Sequence, residues 1–168
     1  MELYLLRHGV AEDGKPGSRD ADRALTADGK KKLRVVLEVA KRAGLEPDLI
    51  LTSPYRRAVE TARIAAEVLE YKEPLIESSQ FIPASFVADA WDEIRLYKES
   101  TSVLVSGHEP LTGELIQFLC GAMADVKKGS ITRIDVESLS PRPKGVLKWM
   151  LTARLAEGFK PVAVKSGK

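Results

Sequence analysis

The sequence predicts an α/β fold: a single-domain three-layer α/β/α sandwich around a mostly parallel central sheet, with a C-terminal hairpin extending the sheet. Three observations lead there. The short apolar runs Leu3-Tyr4-Leu5-Leu6, Leu49-Ile50-Leu51 and Val103-Leu104-Val105 read as strands buried on both faces. Between them lie segments whose apolar residues recur at helical spacing, as crossovers between parallel strands require. The last third alternates in hydropathy instead, the mark of strands with one face in water.

Taken in order, the first strand, Glu2 to Leu6, delivers Arg7 and His8 to a loop, and Gly9 is expected to permit the backbone turn that follows. Val10 to Ala24 is polar and aperiodic and reads as a loop over the sheet edge. Thr26 is a suitable N-cap for a helix carrying Leu33, Val36, Leu37, Ala40 and Ala43 until Gly44. Leu49 to Thr52 is the second strand, and Ser53-Pro54-Tyr55-Arg56-Arg57 opens a helix with Ala58, Thr61, Ala62, Ala65 and Leu69 on one face. Leu75-Ile76 reads as a short edge strand, followed by a helix with Val87, Ala90, Trp91, Ile94 and Tyr97 on one side and Trp91 in the core. Thr101 to Ser106 is the third clear strand and runs into Gly107-His108-Glu109-Pro110, where Pro110 suits the first turn of a helix that buries Leu111, Leu115, Phe118 and Leu119 and closes before Gly121. Ser130 to Val136 and Val146 to Leu151, joined by a turn from Pro141 to Gly145, form the hairpin.

A chain of 168 residues can close one apolar core and needs no second domain. Residues 1–158 are assigned to it, and 159–168, with Lys160, Lys165, Gly167 and Lys168, to a C-terminal tail. The 26 basic residues balance 24 acidic ones, so a net charge of +2 gives no electrostatic case for nucleic acid. The single cysteine, Cys120, excludes an internal disulfide framework, and no Cys/His spacing suggests a zinc site, so neither metal nor cofactor is expected. The acidic Glu2 before a short apolar run is no targeting signal, and no apolar run is long enough to span a membrane. A cytoplasmic monomer or small oligomer is the expectation.

Three strand ends therefore carry Arg7-His8, Arg56-Arg57 and His108, and in a parallel sheet they converge beyond the carboxyl edge, where ligands bind. Arg56 and Arg57 sit in the first turn of a helix, the wrong end for a cation, which suggests an anion beside them. Two imidazoles with guanidinium groups suit one phosphoryl group: arginine makes forked, charge-assisted bonds to its oxygens, and histidine can accept phosphorus covalently. His8 is the candidate nucleophile. Fixed cations can carry most of the stabilisation of a loose phosphoryl-transfer state, so the chemistry requires no metal. A nucleotide-binding reading fails because Gly14, Gly17 and Gly29 fit neither glycine-rich phosphate fingerprint.

With these residues in place the chain resembles the histidine phosphatase superfamily, whose mark is Leu-Arg-His-Gly at the first strand end, here Leu6-Arg7-His8-Gly9. The resemblance extends to Arg23-Ala24-Leu25-Thr26, to Ser53 through Ala62 and to Val103 through His108. It implies a phosphoglycerate mutase-like fold in which His8 attacks phosphorus while Arg7, Arg57 and His108 clamp its oxygens. Arg57 takes that role rather than Arg56 because it directly precedes Ala58 in the matching motif. Gly9, Ser53 and Arg23 are carried over as substrate-binding positions, Arg23 either extending the clamp or touching substrate. Small size, short loops and the Arg-x-Leu-Thr tetrapeptide resemble the compact phosphohistidine phosphatases most closely, which implies as partner a phosphohistidine-containing phosphotransfer protein.

The loop Ser78 to Ser85, where ester-cleaving members carry an acid, has no carboxylate. An alkoxide must be protonated as it leaves, whereas the imidazole of phosphohistidine departs more easily, so the missing acid favours the latter substrate. Glu77, Glu12, Asp13 and Glu109 remain candidate donors, with Glu109 better placed to cap the helix after it. Two alternatives stay open: a phosphomonoesterase acting on a small phosphorylated substrate with one of those acids as donor, and a non-catalytic phosphate-binding module. Lys128, before Gly129-Ser130, is either solvated or a further phosphate ligand.

Overall fold

The computed structural model describes residues 1–139 and 143–159. In chain order it contains β1 (Glu2–Arg7), a 3₁₀ turn (Asp20–Asp22), α1 (Ala27–Arg42), β2 (Leu49–Thr52), α2 (Arg56–Leu69), β3 (Ile76–Glu77), a second 3₁₀ turn (Ser79–Phe81), α3 (Val87–Arg95), β4 (Ser102–Gly107), α4 (Leu111–Cys120), β5 (Ile131–Ser138), β6 (Lys144–Leu151) and α5 (Ala153–Gly158). The strands form one sheet in the order β3-β2-β4-β1-β5-β6. The pairings among β3, β2, β4 and β1 are parallel, and those of β5 with β1 and β6 are antiparallel, so the hairpin extends a parallel core.

Alternation along β1 divides the core between two layers. Tyr4 and Leu6 face α1, α2 and α5 and pack with Leu33, Leu37, Ala62 and Ala156. Leu3 and Leu5 face the opposite layer and pack with Trp91, Ile94, Leu115 and Leu119 of α3 and α4. This is the three-layer sandwich the apolar runs implied. Thr26 caps α1, its hydroxyl accepting the Gly29 N–H at 2.9 Å, and Gly44 follows the helix with φ of 90°. No helix among the described residues is long and apolar enough to cross a membrane.

Several boundaries differ from the sequence reading. β3 starts at Ile76 rather than Leu75, and α3 stops at Arg95, short of Tyr97. Phe118 is 41% exposed rather than in the core, its ring meeting Trp91 edge-on at 6.4 Å, while Trp91 is buried as expected. α5 had no counterpart in the sequence reading because its six residues bury only Ala156. Phe159 closes α5, and its carbonyl accepts a bond from Arg42 Nη2 at 3.2 Å; the rest of the expected tail, residues 160–168, and part of the expected turn, 140–142, lie outside the described residues.

The sheet positions the site. β1, β4 and β2 are adjacent and parallel, with Arg7 opposite Gly107 and Thr52 opposite Ser106. The ladder continues one residue past the strands: His8 N–H donates to Gly107 O and Ser53 N–H to Ser106 O, both at 3.0 Å. Residues far apart in sequence are thereby fixed to a single rigid edge, since backbone bonds rather than loop contacts hold them.

Candidate active site

His8 is buried, and its two ring nitrogens are distinguished by their partners. Nδ1 lies 2.7 Å from Gly9 O, which can only accept, so Nδ1 carries the proton. Nε2 receives the Arg57 Nε–H at 3.2 Å and therefore presents its lone pair. Burial lowers the His8 pKa to about 4, and the charges of Arg57, Arg7 and Lys128 act in the same direction against the Gly9 carbonyl. The imidazole is neutral at neutral pH, with its basic nitrogen turned toward a cation.

His108, from the end of β4, stands beside it, the two rings 5.0 Å apart between centroids. Burial, with His8, Arg57 and Arg7, lowers its pKa to about 3, opposed by Asp20. Ser53 Oγ is 2.9 Å from His108 Nε2 and also accepts the Tyr55 N–H at 3.3 Å. Ser53 Oγ keeps a second lone pair beside the one Tyr55 uses, so it donates to Nε2 or accepts from it according to the His108 tautomer. Nδ1 has no hydrogen-bond partner among the described residues, so in the tautomer that places the ring proton there His108 offers one free donor. Tyr55 packs its ring edge-on against His108 at 5.2 Å and lies under the Arg57 guanidinium at 5.0 Å.

Two arginines complete the cluster. Arg57 leaves the first turn of α2, a helix with no acidic residue in that turn and no side-chain cap, so its N-terminal amides and the guanidinium add to one positive region. Arg56 is drawn away to Glu60 one turn on, at 3.0 Å, which separates the two neighbours structurally as the motif had separated them. Arg7 donates through Nη1 to Val126 O, and its buried Nε–H has no partner among the described residues. The segment after Val126 is latched to β1 by Gly129, whose N–H donates to both Arg7 O and His8 O and whose φ of 73° favours glycine.

The other sequence-derived positions fall around this centre. Gly9 does not take a left-handed φ, so it is not required for a turn. A Cβ there would press on Gly29 O at 3.3 Å and Leu25 Cδ2 at 3.4 Å, and its N–H is engaged by Thr61 Oγ1 at 3.3 Å. Arg23 reaches Glu12 O at 2.6 Å and Asp20 Oδ1 at 2.9 Å rather than either imidazole. Lys128 is exposed, and its charge is felt by His8. Glu109 caps α4 through the Gly113 N–H at 3.0 Å, as expected, and Glu77, Glu12 and Asp13 are exposed. Among the described residues no carboxylate hydrogen-bonds to His8 or His108.

The carboxylate that does enter the cluster is one the sequence reading did not single out. Asp20 accepts Arg57 Nη2 on Oδ2 at 2.9 Å, and its backbone carbonyl accepts Nη1 at 2.8 Å. Glu60 is a second such residue: it receives the Leu25 N–H at 2.8 Å and so ties the Arg-Ala-Leu-Thr segment to α2. Thr61 and Tyr55 likewise hold groups in place without a signal beyond the motif that contains them.

Comparison with known proteins gives a consistent picture. Residues 3–86 match the family described as histidine phosphatase superfamily, branch 1. An uncharacterized protein of Picosynechococcus is 32% identical over 136 residues, covering 78% of this chain and 82% of that one. The phosphohistidine phosphatase SixA of Escherichia coli is 28% identical over 122 residues, covering 71% of this chain and 74% of that one. In fold the chain is similar to the protein histidine phosphatase SixA solved with tungstate, at a TM-score of 0.84 and 24% identity over 92% of this chain and 98% of that one. It is also similar to the α-ribazole phosphatase of Shigella flexneri, at a TM-score of 0.70 and 20% identity over 91% and 97%. A fold, a motif set and a cluster of cations around a neutral histidine thus agree with the family match, and the chain belongs to the histidine phosphatase superfamily and is a phosphatase.

Proposed function

We propose that this phosphatase is a phosphohistidine phosphatase that works without a metal, through a phosphohistidine intermediate on His8, and that its substrate is a phosphorylated histidine of a phosphotransfer protein. The observation that carries the reading is the state of His8: a neutral imidazole whose Nδ1–H is committed to Gly9 O, leaving Nε2 as the only nitrogen able to attack. Nε2 forms a bond to phosphorus as the bond between phosphorus and the substrate nitrogen breaks, and the departing imidazole takes a proton from water. Positive charge then developing on His8 is met by the Gly9 carbonyl. Water attacks phosphorus in the second step, breaking the bond to Nε2 and releasing phosphate. Arg7, Arg57 and His108 supply donors to the oxygens, with Arg7 Nε and His108 Nδ1 still uncommitted among the described residues.

The choice of leaving group rests on the carboxylates. Among the described residues none is bonded to an imidazole, and the one that reaches the cluster, Asp20, has its pKa lowered by Arg23 and Arg57 and is ionised rather than a proton donor. Phosphohistidine needs no such donor, and the similarity to a phosphatase named for that substrate points the same way. The test compares wild type with His8→Ala after brief exposure to a labelled phosphohistidine protein and to p-nitrophenyl phosphate. An acid-labile, alkali-stable adduct on wild type, absent from the variant and formed much faster from the phosphohistidine donor, is the expected result. Equal or faster turnover of the ester overturns the substrate assignment, and phosphate binding with no adduct overturns the covalent mechanism.

A further inference from the structure

Arg57 is a buried cation, its side chain only 6% exposed, and such a charge is strongly destabilising unless paired. Three of its five N–H donors are taken: Nε by His8, Nη1 by the Asp20 carbonyl and Nη2 by Asp20 Oδ2. Both terminal nitrogens, the pair that makes a forked bond to an oxyanion, face Asp20, so a phosphoryl group bound end-on by that fork takes the place of at least one Asp20 oxygen. We propose that Asp20 is an internal anion that occupies Arg57 in the free enzyme and is displaced by the phosphoryl group, so that it competes with phosphate at the active site. The inference rests on the phosphatase site proposed above.

The surroundings of Asp20 suit displacement. Its side chain is 55% exposed, and the Asp20–Asp22 turn buries none of its residues, so a shift sacrifices little packing. The carboxylate is shared: Oδ1 stays with Arg23 Nη1 while Oδ2 holds Arg57. Arg23 is fixed in turn by its Nε bond to Glu12 O. Asp20 can therefore leave Arg57 and keep a cationic partner, which limits both the distance moved and the charge left uncompensated. A phosphoryl dianion outcompetes a carboxylate at this fork, having more charge and more oxygens for Arg7 and His108 to share. Inorganic phosphate meets the same competitor, which weakens its retention after hydrolysis.

The relevant quantity is the fraction of molecules with Arg57 free, since apparent affinity falls by that fraction. An open population of about a tenth predicts that removing the competing charge tightens phosphate binding about tenfold. The experiment is calorimetric titration of the whole protein with inorganic phosphate, comparing wild type, Asp20→Asn, Asp20→Ala and Asp22→Asn, each checked for an unchanged circular dichroism spectrum. Asp22 pairs with Arg19 on the same turn, so its variant makes the same change in net charge without freeing Arg57. Tighter phosphate binding by both Asp20 variants and not by Asp22→Asn is expected. Phosphate bound by wild type and no tighter by either Asp20 variant overturns the competition alone, as does equal tightening in Asp22→Asn, which would be a long-range charge effect. Absence of phosphate binding in all four proteins overturns the competition together with the reading of the site.

Discussion

Arg57 Nε lies 3.2 Å from His8 Nε2, so the guanidinium that would hold a phosphoryl oxygen also orients the attacking nitrogen before substrate arrives. Arg57→Lys keeps a charge but loses the fork, and kcat/KM is expected to fall by on the order of a hundredfold, about 3 kcal/mol of barrier. In Arg57→Ala the removal of a neighbouring cation should also raise the His8 pKa above about 4, measured by the ring proton shifts in NMR titration. A variant with unchanged kcat/KM would exclude Arg57 from the clamp.

Ser53 is fully buried and links Tyr55 N–H to His108 Nε2. Ser53→Ala leaves that nitrogen unpaired and is expected to cost about 1–3 kcal/mol of stability in urea unfolding. It also removes the hydrogen bond that holds the His108 ring in place, so kcat should fall several-fold with a smaller change in KM. Ser53→Thr, which keeps the hydroxyl, should restore kcat, and failure to do so would assign Ser53 to packing.

The two histidines make stability depend on pH in a defined window. Each has a folded pKa below its ordinary 6.5, about 4 for His8 and about 3 for His108. The unfolded chain therefore binds more protons than the native one between those values, and stability is full above about pH 6.5 and is lost as pH falls toward about 4. The slope is about 1.4 kcal/mol per pH unit for each histidine while both titrate only when unfolded. Chemical denaturation across this range should show the decline, and His8→Ala should reduce its slope. A flat profile would contradict the neutral state on which nucleophilic attack depends.

Gly29 lies where α1 meets the segment after β1, and a Cβ on it would collide with the Val10 carbonyl oxygen and reach Thr26 Oγ1 at 3.0 Å. Gly29→Ala should destabilise by about 1–3 kcal/mol despite the higher helix propensity of alanine, read as a lower urea midpoint with an unchanged m-value. A stabilised variant would show that the backbone there can give.

These residues also show what a linear sequence reveals. His8, Arg57 and His108 were legible because each follows a strand whose apolar run is unmistakable, and parallel strands bring their ends together whatever lies between. Glu109 was legible because a cap acts within one turn of its helix. Asp20 was not, since it sits in a polar, aperiodic loop beside Asp13 and Asp22, and its partner Arg57 is set by the path of the chain rather than by spacing. Gly9 was identified for the wrong reason: its small size answers crowding by Gly29 and Leu25, a contact between segments that no local pattern records.

The segment carrying Asp20 leaves and returns to the fold at one point, closed by the Ala11–Leu25 bridge and by Glu12 N–H on Ala24 O at 2.8 Å. Its length is thus separated from the positions of His8 and His108, which depend on the sheet. Because closing a loop twice as long costs only about 0.6 kcal/mol more, descendants of this scaffold can lengthen, shorten or recompose residues 13–19 at nearly constant stability, provided Asp20 still reaches Arg57. Divergence in what is recognised can then proceed by drift in one tethered excursion while the chemistry is inherited unchanged.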